Sequence, residues 1–317
     1  MEFSESSALP ADLKKLKINL QFRLLFLSLF LFQCGHDASK DTDTATYGTI
    51  SIAADESFEP IIDAELMVFK AMYTHADIRP HYRSEGQAFN LLMKDSVRVI
   101  LVTRKMNAAE LSIFEKEKLI PRQNKIASDA VALIVNSSNK DSLLTMSQLN
   151  DIFKGKSKKW SQLTKSNSSG EIKIVFDNSN SSNLRYIKEK FELDEPLSVN
   201  IFSAGSNRAV VEYVKDNKNA LGIIGVSWIS DEDDSTSRAF LKTVKAVGIS
   251  ASNAPSSVND YYQPYQAYIA DSSYPLRREL FVISREARVG LGPSFHPLSI
   301  LRSSGLTCLL RRNRNPA

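Results

Sequence analysis

The sequence predicts an α/β protein of two lobes, each a mostly parallel sheet flanked by helices, joined by two chain crossings. Three observations carry this. From Tyr47 onward, short β-branched apolar runs alternate with segments whose apolar residues recur at helical spacing, the pattern of a parallel sheet covered by helices. The alternation comes in two blocks. Two longer apolar stretches, residues 126–138 and 274–284, read as strands crossing between those blocks, so the blocks form a hinged pair rather than two beads on a string. The chain has 317 residues, 43% of them hydrophobic and 24% charged, enough to bury two medium cores.

In chain order, residues 1–33 read as a signal peptide. Lys14, Lys15, Lys17 and Arg23 precede an apolar run from Leu24 to Phe32, long enough for a signal core and short for a transmembrane helix. The next residues, LFQCG, resemble the lipobox of bacterial lipoproteins, which implies lipidation at Cys34. Gln33 departs from the small residue usual before that cysteine. A noncleaved signal anchor or an ordinary free cysteine is the competing reading. Residues 34–46 have almost no apolar content and read as a flexible tether.

The first lobe, 47–127 plus 277–317, opens with the strand GTISIAA. A helix follows, with Ile61, Ile62, Leu66, Phe69 and Met72 on one face. IRPHY is the next strand, Ala88 to Leu92 a helix, VRVILVT a strand, and residues 108–117 a helix. The second lobe, 128–276, contains the helical SQLNDIF, the strand EIKIVF before the serine-rich turn DNSNSSN, the helical NRAVVEYV and the strand NALGIIG. Ligands of such sheets sit at the carboxyl ends of strands.

Four strand-to-helix junctions offer groups suited to a small oxyanion. These are Glu56, Ser57 and Phe58; Ser84, Glu85 and Gly86; Thr103 and Arg104; and Asn178 to Asn183, with Arg185 one step into the helix. Backbone N–H groups at helix starts, hydroxyls and arginines all donate hydrogen bonds, and the helix dipole favours negative charge. Each serine or asparagine taken singly is also an ordinary helix cap. Hydrogen bonds to charged groups contribute about 1.5 to 3 kcal/mol each, so half a dozen suffice for micromolar affinity, which needs about 8 kcal/mol.

Other chemistries find little support. The net charge of +4 is small and sits partly in the terminal segments, so no patch points to nucleic acid. The four histidines, His36, His75, His81 and His296, lack metal-ligand spacing. Gly155 to Ser157 ends like a phosphate-binding loop, but Asn150 stands where that motif needs glycine. No G-x-S-x-G elbow marks a serine hydrolase. Catalytic residues, metal and cofactor are expected to be absent, and Trp160 and Trp228 read as packing.

Five segments taken in order, DAVALIVN, IFKGKSKKW, DNSNSSNLRY, NALGIIGVSW and YPLRRELFVI, resemble the phosphate-binding proteins of bacterial phosphate ABC transporters. The resemblance spans residues 47–292. It implies the periplasmic-binding-protein fold of the second type (type II), inorganic phosphate or a related oxyanion as ligand, an ABC permease of the inner membrane as partner, a periplasmic location, a monomer, and no enzymatic activity. By resemblance, Ser57 and Phe58 match the first-loop donors, Ser84 the second-loop serine, and Ser181, Ser182 and Asn183 the Ser-Gly-Thr turn. Two positions depart from the family: Asp177 stands where better-known members have arginine, and VILVT lacks the third-loop aspartate. The cation is therefore expected from Arg104 or Arg185, and the acceptor for a protonated oxyanion from Glu85 or Asp177. The same fold could instead serve an envelope sensor or assembly protein, or an enzyme acting on phosphate esters. After residue 292 the resemblance stops, and the proline- and arginine-rich end reads as a shifted frame or a truncation.

Overall fold

The computed structural model describes residues 43–163, 170–193, 201–229, 240–286 and 290–294. The segment read as a signal peptide, Cys34 and almost all of the residues after 292 lie outside them. Asp43, the first described residue, is buried; its carboxylate accepts from the Leu291 N–H at 2.6 Å and pairs with Arg98 at 3.4 Å.

The chain opens with β1 (Gly48–Asp55) and a single 3-10 turn, Glu56–Phe58, which leads into α1 (Glu59–Met72). Pro60 in the first turn of α1 suits a position whose N–H has no intrahelical acceptor. Ile62 and Phe69 of the expected face are buried, whereas Met72 is exposed. Then come β2 (Ala76–Arg83), α2 (Glu85–Met93), β3 (Val99–Val102), α3 (Ala108–Lys116) and the long β4 (Arg122–Asn136). The second block holds β5 (Leu143–Thr145), α4 (Met146–Phe153), β6 (Lys173–Phe176), α5 (Ser182–Phe191), β7 (Ile201–Ser203), α6 (Asn207–Asp216), β8 (Ala220–Gly225), β9 (Val244–Ala246), β10 (Gly248–Ser250) and α7 (Gln266–Ala270). Finally, β11 (Arg277–Ser284) precedes the short α8 (Leu291–Ser294).

The main sheet runs β2-β1-β3-β11-β4-β8-β6-β7, with β9 also on β4, while β10 and β5 form a separate pair. The β2/β1/β3 and β7/β6/β8 sets are parallel. The antiparallel pairs arise where β4 and β11, the two predicted crossing strands, enter. β4 pairs with β11 through its first half and with β8 and β9 through its second, so this one strand serves both sets. Pro80 lies in β2, the edge strand, where a missing N–H is tolerated.

Both faces of the first set are covered. Along β1, Ile52 and Ala54 join the core under α1, and Ala53 joins the one under α2 and α3. A larger core lies within residues 130–276 and includes Trp160 and Trp228, both buried. This layering brings the carboxyl ends of β1, β3 and β6 together with the start of β11.

Candidate functional site

At the end of β1, the Asp55 side chain caps the 3-10 turn: its Oδ1 accepts from the Ser57 N–H at 3.0 Å and from the Ser57 hydroxyl. The same carboxylate takes the start of α5. Ser182 Oγ donates to Oδ1 at 2.9 Å, and Ser182 N approaches Oδ2 at 3.4 Å. Both serine hydroxyls accept in turn from one guanidinium, Arg278 Nη2 to Ser57 Oγ at 3.0 Å and Nη1 to Ser182 Oγ at 2.9 Å. Two hydroxyls thus relay between a buried cation and a buried anion. Arg278 further donates to Asn183 Oδ1 at 3.0 Å and to Asp129 Oδ2 at 2.6 Å, and it lies 5.4 Å from the Phe58 ring centre. Burial raises the Asp55 carboxyl above its ordinary range, against the opposing pull of Arg278.

A second cluster stands beside it. Glu85 Oε1 accepts from the N–H and the hydroxyl of Thr103, both at 2.7 Å, and its Oε2 from Arg185 Nε at 2.7 Å. Arg185 also reaches Thr103 Oγ1 at 2.6 Å and Glu189 at 2.7 Å. Arg104 forks onto Glu110 at 2.7 and 2.8 Å and lies 3.8 Å above Phe89.

A third, more acidic group sits at the β6 end. Asn183 and Asn207 both donate to Asp177 Oδ2, at 3.1 and 3.3 Å. The Asn207 N–H donates to Glu56 at 3.1 Å, and Asn207 Oδ1 accepts from the Gly225 N–H at 2.9 Å. Burial pushes Asp177 up to about 6 and Glu56 up to about 7, with repulsion from neighbouring acids adding to both.

Ser57, Phe58, Ser182 and Asn183 thus converge with Arg278. Thr103, Arg104, Glu85 and Arg185 form the adjoining cluster. Ser181 serves as the α5 cap, accepting from the Leu184 N–H at 3.1 Å. The Ser84 hydroxyl is buried without a hydrogen-bond partner among the described residues and lines a cavity of about 370 Å³ shared with Glu56, Tyr82, Asn178 and Gly205. A cavity of about 490 Å³ alongside is lined by Glu85, Arg104, Arg185 and Lys188.

Sequence reasoning looked for the cation in Arg104 and Arg185; both are paired with glutamates, and the arginine among the serines is Arg278. It also overlooked Asp55. The signals were faint: an arginine inside an apolar crossing strand, and an aspartate one residue before the first junction. Among the described residues no group of acids, histidines and cysteines is arranged to hold a metal ion, and no helix is long and apolar enough to cross a membrane.

Comparison with known proteins agrees with this architecture. The chain is 24% identical over 267 residues to the phosphate-binding protein PstS of Staphylococcus epidermidis, covering 83% of this chain and 77% of that one. Among solved structures, a candidate phosphate ABC transporter substrate-binding protein with bound phosphate from Clostridium perfringens superposes with a TM-score of 0.66 at 21% identity, over 83% of this chain and 96% of that one. An ABC-type phosphate transport receptor from Vibrio cholerae gives 0.55 at 19%, over 83% and 97%. The likeness to these structures establishes the two-lobed fold. The model of the PBP superfamily domain matches residues 39–298, most of the sequence, and the chain belongs to that superfamily.

Proposed function

We propose that this protein is a solute-binding component that captures inorganic phosphate, or a related oxyanion, between lobes 47–127 plus 277–317 and 128–276, and delivers it to an ABC permease. It acts as a non-enzymatic, monomeric receptor outside the cytoplasm, anchored through a lipid on Cys34. The observation that carries this reading is the convergence of Ser57, Ser182 and Asn183 on Arg278 at two helix starts. Hydroxyls, helix N–H groups and a guanidinium are donors that complement a tetrahedral anion; the hydroxyls and N–H groups follow the carboxyl ends of β1 and β6, and the guanidinium comes from the start of β11. The names of the relatives point to the same ligand.

Isothermal titration of the full chain in detergent with inorganic phosphate tests the proposal. One-to-one binding without turnover is expected. Hydrolysis of a phosphate ester would shift the reading to an envelope enzyme, and silence toward phosphate to a sensor or assembly protein.

A further inference from the structure

We propose that the Asp55 carboxylate is a built-in occupant of the oxyanion position, so that an external anion enters only by exchange with it. This rests on the reading of the cleft as an oxyanion site and specifies how that site selects.

The donors such an anion needs are already used. The Ser57 N–H, the Ser57 hydroxyl and the Ser182 hydroxyl all end on Asp55 Oδ1, and Ser182 N faces Oδ2. Arg278 touches the same two hydroxyls from the other side. A planar carboxylate thus sits on the donors of the 3-10 turn and of the first residue of α5 as one edge of a tetrahedral oxyanion would, with the Arg278 guanidinium one hydroxyl away. The two cavities described above are not lined by Asp55, Ser57, Ser182 or Arg278, and all four residues are buried.

Asp55 also ties together segments far apart in sequence, since Ser182 is 127 residues away. It holds the two sets of strands closed as a bound anion would, which lowers the advantage an external ligand gains by closing them.

Charge explains why the exchange discriminates. From the neighbouring elements Asp55 faces Arg278 on β11, Glu85 at the start of α2 and Asp177 at the end of β6, with Glu56 next in the chain and Asp129 behind Arg278. A dianion added beside an intact Asp55 carboxylate meets like charge in a water-poor site. Rotation of the side chain away from its donors, or its protonation, removes that conflict. The selected ligand is then an oxyanion whose extra donor contacts outweigh those of the resident carboxylate, and weak general anions are turned away.

The experiment is titration of the full chain with sulfate and with inorganic phosphate, comparing wild type with Asp55→Ala and Asp55→Asn at about pH 5.5 and about pH 8. Sulfate keeps its charge across that range, so its response reports the protein. Asp55→Ala is expected to bind sulfate about tenfold or more tightly than wild type at the higher pH, and the ratio is expected to narrow as pH falls, the direction that follows from burial raising the Asp55 carboxyl. Asp55→Asn, nearly the same shape without the charge, is expected to lie between the two, and circular dichroism checks that both variants fold. Wild type that binds phosphate while both variants bind it more weakly would overturn the exchange and leave the oxyanion reading standing. Silence of all three proteins toward both anions would overturn the oxyanion reading and the exchange together.

Discussion

Arg278 on β11 stands directly opposite Asp129 on β4, and its Nε donates to the Asp129 carboxylate at 2.6 Å. Both side chains are buried, so the two crossing strands are joined at the point where the site begins. The cross-strand pair fixes one edge of the guanidinium and leaves the other edge for Ser57, Ser182 and Asn183.

Removing one partner leaves a buried charge uncompensated. Arg278→Met should therefore cost about 3 to 5 kcal/mol of stability in urea unfolding. The double variant Arg278→Met with Asp129→Leu should recover part of that loss, since the Asp129 charge is gone too while Asp55 and Asn183 stay without their cation. Phosphate binding should stay lost in the double variant. Binding by that variant at wild-type strength would show that Arg278 does not hold the ligand.

Gly225 allows β8 to pass against the 3-10 turn. A Cβ there would fall 2.6 Å from Ser57 Cβ and 2.9 Å from the Ser57 carbonyl oxygen, so the residue that presents two of the donors would have to shift. Gly225→Ala is expected to destabilise by about 1 to 3 kcal/mol and to weaken oxyanion binding in titration. An unchanged melting temperature would mean the turn yields freely.

Glu85 was expected from the sequence to accept a proton-bearing oxygen of the ligand, but its oxygens accept from Thr103 and Arg185. Glu85→Gln should consequently lower stability by about 1 to 3 kcal/mol while leaving the phosphate-to-sulfate affinity ratio near its wild-type value. A selective loss of phosphate binding would assign Glu85 the acceptor role.

Stability should depend on pH through Glu56 and Asp177. Their folded values, about 7 and about 6, lie above the ordinary carboxylate range, so the folded state binds more protons than the unfolded chain at intermediate pH. The stabilisation is present in full below the ordinary carboxylate values and is lost as pH rises through about 6 and then about 7. Chemical denaturation should find the protein less stable at about pH 8 than at about pH 5, by on the order of 1 to 3 kcal/mol. Glu56→Gln with Asp177→Asn should reduce the slope, leaving the smaller dependence that Asp55 carries; a wild-type profile that rises with pH would contradict both assignments.

Metabolic labelling with a fatty acid should mark the wild-type protein and lose the mark in Cys34→Ala. Retention of label in the variant would place the lipid elsewhere.

The order of strands and helices was legible because each depends on local signals. β1 was marked by β-branched residues, α1 by its 3.6-residue period, and α5 by its serine cap, which were enough to place Ser57, Ser84, Thr103 and Ser182 at strand-to-helix junctions. The crossing strands were recognisable by their long apolar runs, although their antiparallel pairing, which gives the sheet its mixed character, was not specified.

The sequence by itself therefore determined the alternating architecture and the junctions at which donors cluster. Only the tertiary structure decided which charged groups occupy the site. Arg277, Arg278 and Glu279 are adjacent in one strand, and period-two alternation requires that the middle one face away from its neighbours. The face that turns inward depends on the register of β11 against β4, which is set by contacts about 150 residues away in the chain. Arg278 is consequently buried, Arg277 half-buried and Glu279 exposed. Asp55 follows the same logic: its local role is to cap the turn at Ser57, and it becomes an anion seated among ligand donors only because the fold carries the start of α5, 127 residues on, against the end of β1.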